Sequence, residues 1–228
     1  MNPADIVVVV PAYNESRVIK GNIKPLIDRG YTVVVVDDGS ADGTWETLDG
    51  LPLTRIRHPI NLGQGAALQT GMEYGLRVGA RCLIHFDADG QHSVAQIPEF
   101  AAPVLAGECD VVLGSRFLRA DDRRLVPFGK RCLLRVGTIV SWMLTGLWLT
   151  DTHNGFRALS YAALQKIRLR EPGYAHATEI LSEIRKARLR YREQPSTVTY
   201  SDYSRAKGQK PLNSVNILID MLLRKVFQ

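Results

Sequence analysis

Cysteine is scarce in this sequence. Of 228 residues only three are Cys, and Cys82, Cys109 and Cys132 lie far apart without metal-ligand spacing. A disulfide scaffold is therefore excluded, and reduced thiols in a cytosolic compartment are expected. Long apolar runs are missing as well. The longest weakly polar stretch covers fifteen residues, Val136 to Thr150, between Arg135 and Asp151. A bilayer span needs about 18–20. Met1 to Asp5 carry no basic segment ahead of the first apolar run, so a signal peptide is not expected. Repeats, biased tracts and linkers rich in Gly, Pro or Ser are absent, which excludes collagen-like and disordered chains. Three catalytic signatures are absent too: G-x-x-x-x-G-K-[ST], H-E-x-x-H and G-x-S-x-G.

What remains is ordinary globular material, 45% hydrophobic and 23% charged, long enough to bury one large core. The net charge of +6 hides an asymmetry. Residues 1–110 carry 8 Lys/Arg against 14 Asp/Glu, net −6, and residues 111–228 carry 21 against 9, net +12. An acidic half followed by a basic half suggests a cation-handling region facing an anion-handling one. A solvated basic surface is the plainer alternative.

The first half alternates strand and helix signals. Ile6 to Val10 and Val33 to Val36 are continuous β-branched runs, as in strands buried on both faces of a parallel sheet. Cys82 to Phe86 and Val111 to Leu113 repeat the signal. Helical patterns are expected over Glu15 to Arg29, Asp42 to Leu48, Gly65 to Val78 and Val94 to Ala106. This rhythm predicts an open, mostly parallel α/β sheet with helices on both faces. The second half is less regular. Val126 to Leu149 reads as helical, in one or two pieces. Phe156 to Leu159 reads as a short strand, Tyr161 to Ile167 and Ala177 to Ala187 as helices, and Tyr191 to Tyr200 as extended.

Ligands of such sheets bind beyond the carboxyl ends of the strands. Those ends read Pro11-Ala12-Tyr13-Asn14-Glu15, Asp37-Asp38-Gly39-Ser40, Asp87-Ala88-Asp89-Gly90-Gln91-His92 and Gly114-Ser115-Arg116. Alternate residues of a strand share a face, so Asp87 and Asp89 can converge on one hard cation, with Gln91 near enough to add a carbonyl. A solvated loop is the alternative. Asp37 and Asp38 suit the ribose hydroxyls and base N–H of a nucleoside, or else Asp38, Ser40 or Asp42 caps the following helix. Asn61 to Ala67 opens a helix with two glycines and can offer backbone N–H groups to an anion. It lacks the third glycine of the dinucleotide fingerprint, so a Rossmann dehydrogenase is disfavoured. Arg116, Arg119, Arg123, Arg124, Lys130, Arg131 and Arg135 form a basic run, and Arg205, Lys207 and Lys210 a second group; arginine forks suit phosphate oxygens.

Taken together, VVVVPAYNE, VVVVDDGSADGT, NLGQGAALQTGMEYG, FDADGQH, VLGSRF, DTHNGFRALS and SRAKGQK resemble, in order over residues 6–210, the family 2 glycosyltransferases of GT-A fold. The branch they resemble most is that of dolichol-phosphate mannose synthase and the bacterial polyprenyl-phosphate glycosyltransferases. The resemblance implies an inverting, metal-dependent transfer of a sugar from a UDP- or GDP-linked donor to a polyprenyl phosphate. It implies that Pro11, Ala12, Tyr13, Glu15, Asp37, Asp38, Gln64 and Ala88 hold the nucleotide. Asp87, Asp89 and Gln91 are then the ligands of Mg²⁺ or Mn²⁺. Arg116, Lys130, Arg131, Arg205, Lys207 and Lys210 become contacts to phosphate or acceptor. The catalytic set it implies is Asp89, Arg116, Arg131, Asp151 and Glu179.

An acceptor phosphate is already ionised near neutral pH and needs little help from a base, whereas a sugar hydroxyl would need one. Asp151 and Glu179 are the carboxylates that could serve a hydroxyl acceptor of a glycan or glycolipid, although Asp151 can equally hold the Asn154-Gly155-Phe156-Arg157 turn. Sugar-acceptor relatives place a Glu-Asp pair where this sequence has Thr178-Glu179. Many bacterial relatives carry C-terminal transmembrane helices, and no such run occurs here. After a catalytic domain over 1–210, residues 211–228 are expected to form an amphipathic helix. In it Asn213, Asn216, Asp220 and Arg224 fall within about 80° and apolar residues spread over much of the rest. Packing on the protein's own core is one role for that helix. The other is docking on the membrane or on a small integral membrane partner, with the enzyme peripheral on the cytoplasmic face. Nucleic acid is not expected as a partner despite a pI of about 9.3, because the sheet edge is rich in Asp.

Overall fold

The computed structural model describes residues 2–126, 128–173 and 175–199. The basic group Arg205, Lys207 and Lys210, the helix expected at 211–228 and the side chain of Lys130 lie outside the described residues. In chain order the elements are β1 (Ile6–Ala12), α1 (Ile19–Asp28), β2 (Thr32–Asp37), α2 (Thr44–Thr47), β3 (Thr54–Arg57), α3 (Gln64–Arg77) and β4 (Cys82–His85). They continue with α4 (Ile97–Leu105), β5 (Val111–Ser115), α5 (Ala120–Leu125), α6 (Phe128–Thr145), β6 (Arg157–Ser160), α7 (Tyr161–Lys166), α8 (His176–Lys186) and β7 (Tyr191–Pro195).

The strands form one seven-stranded sheet in the order β3-β2-β1-β4-β6-β5-β7. Every pairing is parallel except those of β6, which runs antiparallel to both β4 and β5. The β-branched runs predicted as strands are β1 and β2, at the centre of the parallel part. All seven residues of β1 are buried. Its alternate side chains feed two cores: Ile6, Val8 and Val10 pack with α1 and α4, and Val7 and Val9 pack with α3 and α8.

Several boundaries differ from the sequence expectation, each for a local reason. The first helix starts at Ile19 rather than Glu15. Residues 14–16 are instead stitched to the loop after β2, Asn14 taking φ of 54° while its backbone N–H donates to Ser40 Oγ at 2.9 Å. The fourth predicted helix opens as a 3₁₀ turn, Val94–Gln96, before α4. Strand β3 was not expected, because Thr-Arg-Ile-Arg on a sheet edge lacks an apolar run; it is only half buried. The predicted helical span 126–149 ends at Thr145, and the separate short helix α5 precedes it.

Helix α3 sits unusually close to the sheet. A Cβ at Gly71 would lie 2.1 Å from Val9 Cγ1, and one at Gly75 would lie 2.5 Å from Leu83 Cδ1. At its N-terminus the approach is to backbone: a Cβ at Gly65 would lie 2.1 Å from the Glu171 carbonyl oxygen, and the Gly65 N–H donates to the Pro172 carbonyl at 2.7 Å. The glycines of this segment therefore serve close packing first.

Two outcomes follow from this packing. Gly71→Ala forces α3 away from β1 and is expected to destabilise the protein by about 1–3 kcal/mol, read as a lowered urea midpoint at unchanged m-value. The second concerns His176 at the start of α8, which is buried and donates its Nδ1–H to the Gly173 carbonyl at 2.7 Å. Burial and the nearby Arg157 charge push its pKa from 6.5 down to about 4. The unfolded chain then binds a proton that the fold refuses between those two values, so stability falls as pH drops through that window. The slope is roughly 1.4 kcal/mol per pH unit for one proton. His176→Gln is expected to flatten the pH dependence of the urea midpoint over this range.

Candidate active site

Because β1, β2, β4 and β5 point the same way, their carboxyl ends meet along one edge. A cleft of about 550 Å³ opens there, lined by Pro11, Ala12, Tyr13 and Glu15 after β1, by Asp38 after β2, and by Asp87, Ala88 and Asp89 after β4. Asn61, Gly63, Gln64, Ala67 and Gly173 complete its wall. Of the eight predicted nucleotide-binding residues, all but Asp37 face this cleft.

Asp37 is turned inward. It is fully buried, accepts the Ser40 N–H at 3.1 Å and lies 3.2 Å from Arg57 Nε. Asp38 does border the cleft, but its carboxylate is already engaged. The N–H groups of Leu62 and Gly63 donate to it at 2.9 and 2.7 Å, and His58 Nδ1 is 2.7 Å away. The glycine turn before α3 thus holds an anion, as its pattern suggested, and that anion is the chain's own Asp38.

Asp87 and Asp89 are held differently. Asp87 accepts from Gln64 Nε2 at 3.0 Å and pairs with His92 Nε2 at 3.2 Å. Asp89 accepts from the Gln91 N–H at 3.0 Å and from Gln91 Nε2 at 2.5 Å. The segment carrying them is clamped from behind. His92 stacks on Phe156 with centroids 5.1 Å apart, Asn22 Nδ2 donates to the Ala88 carbonyl at 2.8 Å, and Gly155 leaves room for Asp87 where a Cβ would come within 2.6 Å of Oδ2. Burial raises the Asp87 pKa, but the His92 hydrogen bond and the His92, Arg157 and His176 charges outweigh it and leave the carboxyl below its ordinary value. Asp89 moves the opposite way, raised by burial and by the neighbouring Asp87 charge.

Two carboxylates of this kind suit a hard divalent cation, which would relieve their repulsion and fill its remaining positions with water and substrate oxygens. No cluster of three or more His, Cys, Asp or Glu able to cage a metal occurs among the described residues. The donor set therefore fits an ion shared with a phosphate-bearing substrate better than a metal held by protein alone.

The remaining predicted residues lie outside the lining of the cleft. Arg116 follows β5 and forks onto Asp151, with Nε to Oδ2 at 2.6 Å and Nη2 to Oδ1 at 2.7 Å. Both partners are buried. Burial raises the Asp151 pKa, but the Arg116 charge and hydrogen bonds prevail and hold it below the carboxylate norm. Asp151 also accepts the His153 N–H at 3.2 Å, so it fastens the turn leading to β6. Glu179, near the start of α8, accepts the N–H groups of Arg170 and Glu171 at 2.9–3.0 Å and ties down that loop. Arg131 on α6 donates Nη2 to the Val126 carbonyl at 3.3 Å, and its buried Nε has no partner among the described residues.

Sequence reasoning missed Arg157 as a site residue. It opens β6, pairs in register with His85 and Leu113, and is 2% exposed. Burial lowers its pKa to about 10 against the pull of Asp87 and Asp151, and Nη1 has no hydrogen-bond partner among the described residues. His85 lies beside it with neither ring nitrogen partnered among the described residues, and burial holds its pKa at about 3. The available signal was an arginine inside an otherwise apolar strand, Phe156-Arg157-Ala158-Leu159, where an uncompensated charge is costly.

Comparison with known proteins places this geometry. The chain is 29% identical over 241 residues to a UDP-N-acetylglucosamine–dolichyl-phosphate N-acetylglucosaminyltransferase of Methanococcus voltae, covering 97% of this chain and 96% of that protein. It is 33% identical over 171 residues to a polyprenol monophosphomannose synthase of Mycolicibacterium smegmatis, covering 71% of this chain and 64% of the other. Among solved structures, the fold matches glucosyl-3-phosphoglycerate synthase from Mycobacterium tuberculosis, crystallised with Mn²⁺ and UDP-glucose. The TM-score there is 0.65 at 22% identity, covering 96% of this chain and 78% of the other. The fold is thus GT-A, and the chain is a glycosyltransferase. Residues 7–168 match the family described as Glycosyl transferase family 2, and the chain belongs to that family.

Proposed function

We propose that the cleft binds a nucleoside diphosphate sugar together with a divalent cation, and that the enzyme transfers the sugar with inversion to a polyprenyl phosphate presented at the cytoplasmic face of the membrane. The observation that carries the donor side is the pairing of Asp87 with Asp89 beside Gln64 and Tyr13 in one cleft. Those two carboxylates, with the Gln91 side chain, would hold Mg²⁺ or Mn²⁺. The ion would neutralise charge gathering on the leaving nucleoside diphosphate. Pro11, Ala12, Tyr13, Glu15 and Ala88 would hold the nucleoside, and Asp38 would act by fixing the turn that forms the opposite wall.

The chemistry balances without a protein base. An acceptor phosphate oxygen attacks the anomeric carbon and forms the new C–O bond. The bond from that carbon to the diphosphate oxygen breaks and its electron pair leaves with the nucleoside diphosphate. Arg116 and Arg131, with Lys130, Arg205, Lys207 and Lys210, supply positive charge for the phosphates. Transfer to a sugar hydroxyl would need a free carboxylate base. Both oxygens of Asp151 are engaged by the Arg116 fork and Glu179 is occupied by two backbone amides, which favours the phosphate acceptor.

Calorimetric titration with UDP and GDP, each with and without Mn²⁺, tests the donor site. One nucleotide is expected to bind only with metal, and Asp89→Asn should weaken it at least tenfold. Metal-independent binding that survives this change would overturn the assignment. For the acceptor, Glu179→Gln is expected to keep kcat within about tenfold, since general-base loss costs typically 10²–10⁴-fold. A loss of that size with unchanged thermal stability would favour the hydroxyl acceptor instead.

A further inference from the structure

The cleft lining holds four carboxylates, Glu15, Asp38, Asp87 and Asp89, and no Lys, Arg or His among the described residues. Asp38 is satisfied by backbone N–H groups and by His58. Asp87 and Asp89 take their hydrogen bonds from the amides of Gln64 and Gln91, with His92 as a ring partner of Asp87. Permanent positive charge therefore has to reach this pair from behind the wall.

Arg157 brings it there. It pairs in register with His85, and Asp87 stands two residues beyond His85. On the facing strand Gly155 stands two residues before Arg157, and a Cβ there would lie 2.6 Å from Asp87 Oδ2. Alternate residues of a strand share a face, so Asp87 and Arg157 lie on one side of the sheet, one step apart along the β4/β6 ladder. It is the side covered by α3 and α8, because Leu83 and Leu159, two residues farther from the edge, belong to that core. Burial pushes His85 and His176, on the same side, down to about 3 and about 4, so both are neutral near pH 7. Arg157 is 2% exposed and keeps its charge, since burial lowers its pKa only to about 10. Its Nη1 has no hydrogen-bond partner among the described residues, unlike the Arg116 guanidinium, which is forked onto Asp151.

A buried guanidinium in this position acts on both ligands of the cleft, with opposite signs. It relieves the repulsion between Asp87 and Asp89, and by the same Coulomb interaction it opposes a further cation joining them. A diphosphate is attracted by it. We infer that Arg157 is the resident counter-charge of the Asp87–Asp89 pair, weakening cation binding to the cleft without nucleotide and strengthening that of the diphosphate, so that the two enter together. Both ligands are those of the proposed donor site, on which this role depends. A lining whose only charges are negative turns away a diphosphate without a cation, and Arg157 turns away a cation without a diphosphate. Linkage makes the effect mutual, each ligand raising the affinity for the other by one factor. Arg157 lies outside the lining and acts through the two carboxylates, which makes it a positioning residue.

The test is a Mn²⁺ titration of the full chain, read by electron paramagnetic resonance of the free ion, with and without UDP or GDP. In the wild type, the nucleotide that binds is expected to tighten Mn²⁺ binding at least tenfold. Arg157→Met keeps the length and apolar packing of the side chain. It is expected to bind Mn²⁺ alone at least tenfold more tightly than the wild type, and the nucleotide several-fold less tightly at saturating Mn²⁺. Arg157→Lys, which keeps the charge, should behave as the wild type. A damaged fold weakens both ligands, so opposite shifts cannot come from a structural defect. Unchanged or weaker Mn²⁺ binding in Arg157→Met would overturn the counter-charge. Equal Mn²⁺ affinity of the wild type with and without nucleotide would do so without any variant having to fold. In either case metal-dependent nucleotide binding that is lost in Asp89→Asn leaves the donor site standing. A wild type that binds neither Mn²⁺ nor nucleotide rejects both.

Discussion

The central strand β1 has no face open to water. Packed between β2 and β4 within the sheet, and between α3 and the α1/α4 layer across it, it has nowhere to place a polar side chain along its length. An uncompensated charge there would cost several kcal/mol. Polar chemistry is therefore displaced to the strand ends, and parallel strands put those ends on one edge. Strand β6 reinforces this by running the other way, so that its first residue, Arg157, arrives at the edge where β4 and β5 finish.

Crowding so many charges at one edge over an apolar layer sorts the carboxylates into two kinds. Asp38, Asp151 and Glu179 are engaged by backbone N–H groups, and in two cases by His58 or Arg116 as well. Such donors come from the fold and cannot be withdrawn without undoing a loop. Asp87 and Asp89 rest partly on the side-chain amides of Gln64 and Gln91, which a rotamer change can withdraw. Burial and the Asp87 charge raise the Asp89 pKa, while His92 and the Arg157 and His176 charges keep that of Asp87 low. A cation is the natural partner of the second kind and has no vacancy in the first. This division, rather than the number of acidic residues, is what singles out the strand end after β4.

The same reasoning connects the donor side to the outer surface. Arg116 is buried because Asp151 neutralises it, and Asp151 in turn anchors the segment between Trp148 and β6. Helix α6 seats its hydroxyl face next to His153 in that segment. The apolar side of the helix is left pointing outward as a consequence.

Much of this was legible in the chain itself. Continuous β-branched runs mark β1 and β2 because burial on both faces is written locally, residue by residue, and the carboxylates that follow them are found by topology alone. The Asp87-Ala88-Asp89 pair and the cleft residues Pro11 to Glu15 were recognisable on those grounds. Edge strand β3 was not, since a half-buried strand of Thr, Arg and Ile has no pattern of its own. Nor were the fates of individual polar groups, because their partners are distant in sequence. Asp38 is taken by Leu62 and Gly63, Asp151 by Arg116, and Arg157 is buried under the pull of Asp87 and Asp151. The sequence by itself determined which segments must be buried and therefore where chemistry could be placed. Only the tertiary structure decided which charges remain free to act, since a hydrogen bond is set by three-dimensional proximity and hydrophobic periodicity is not.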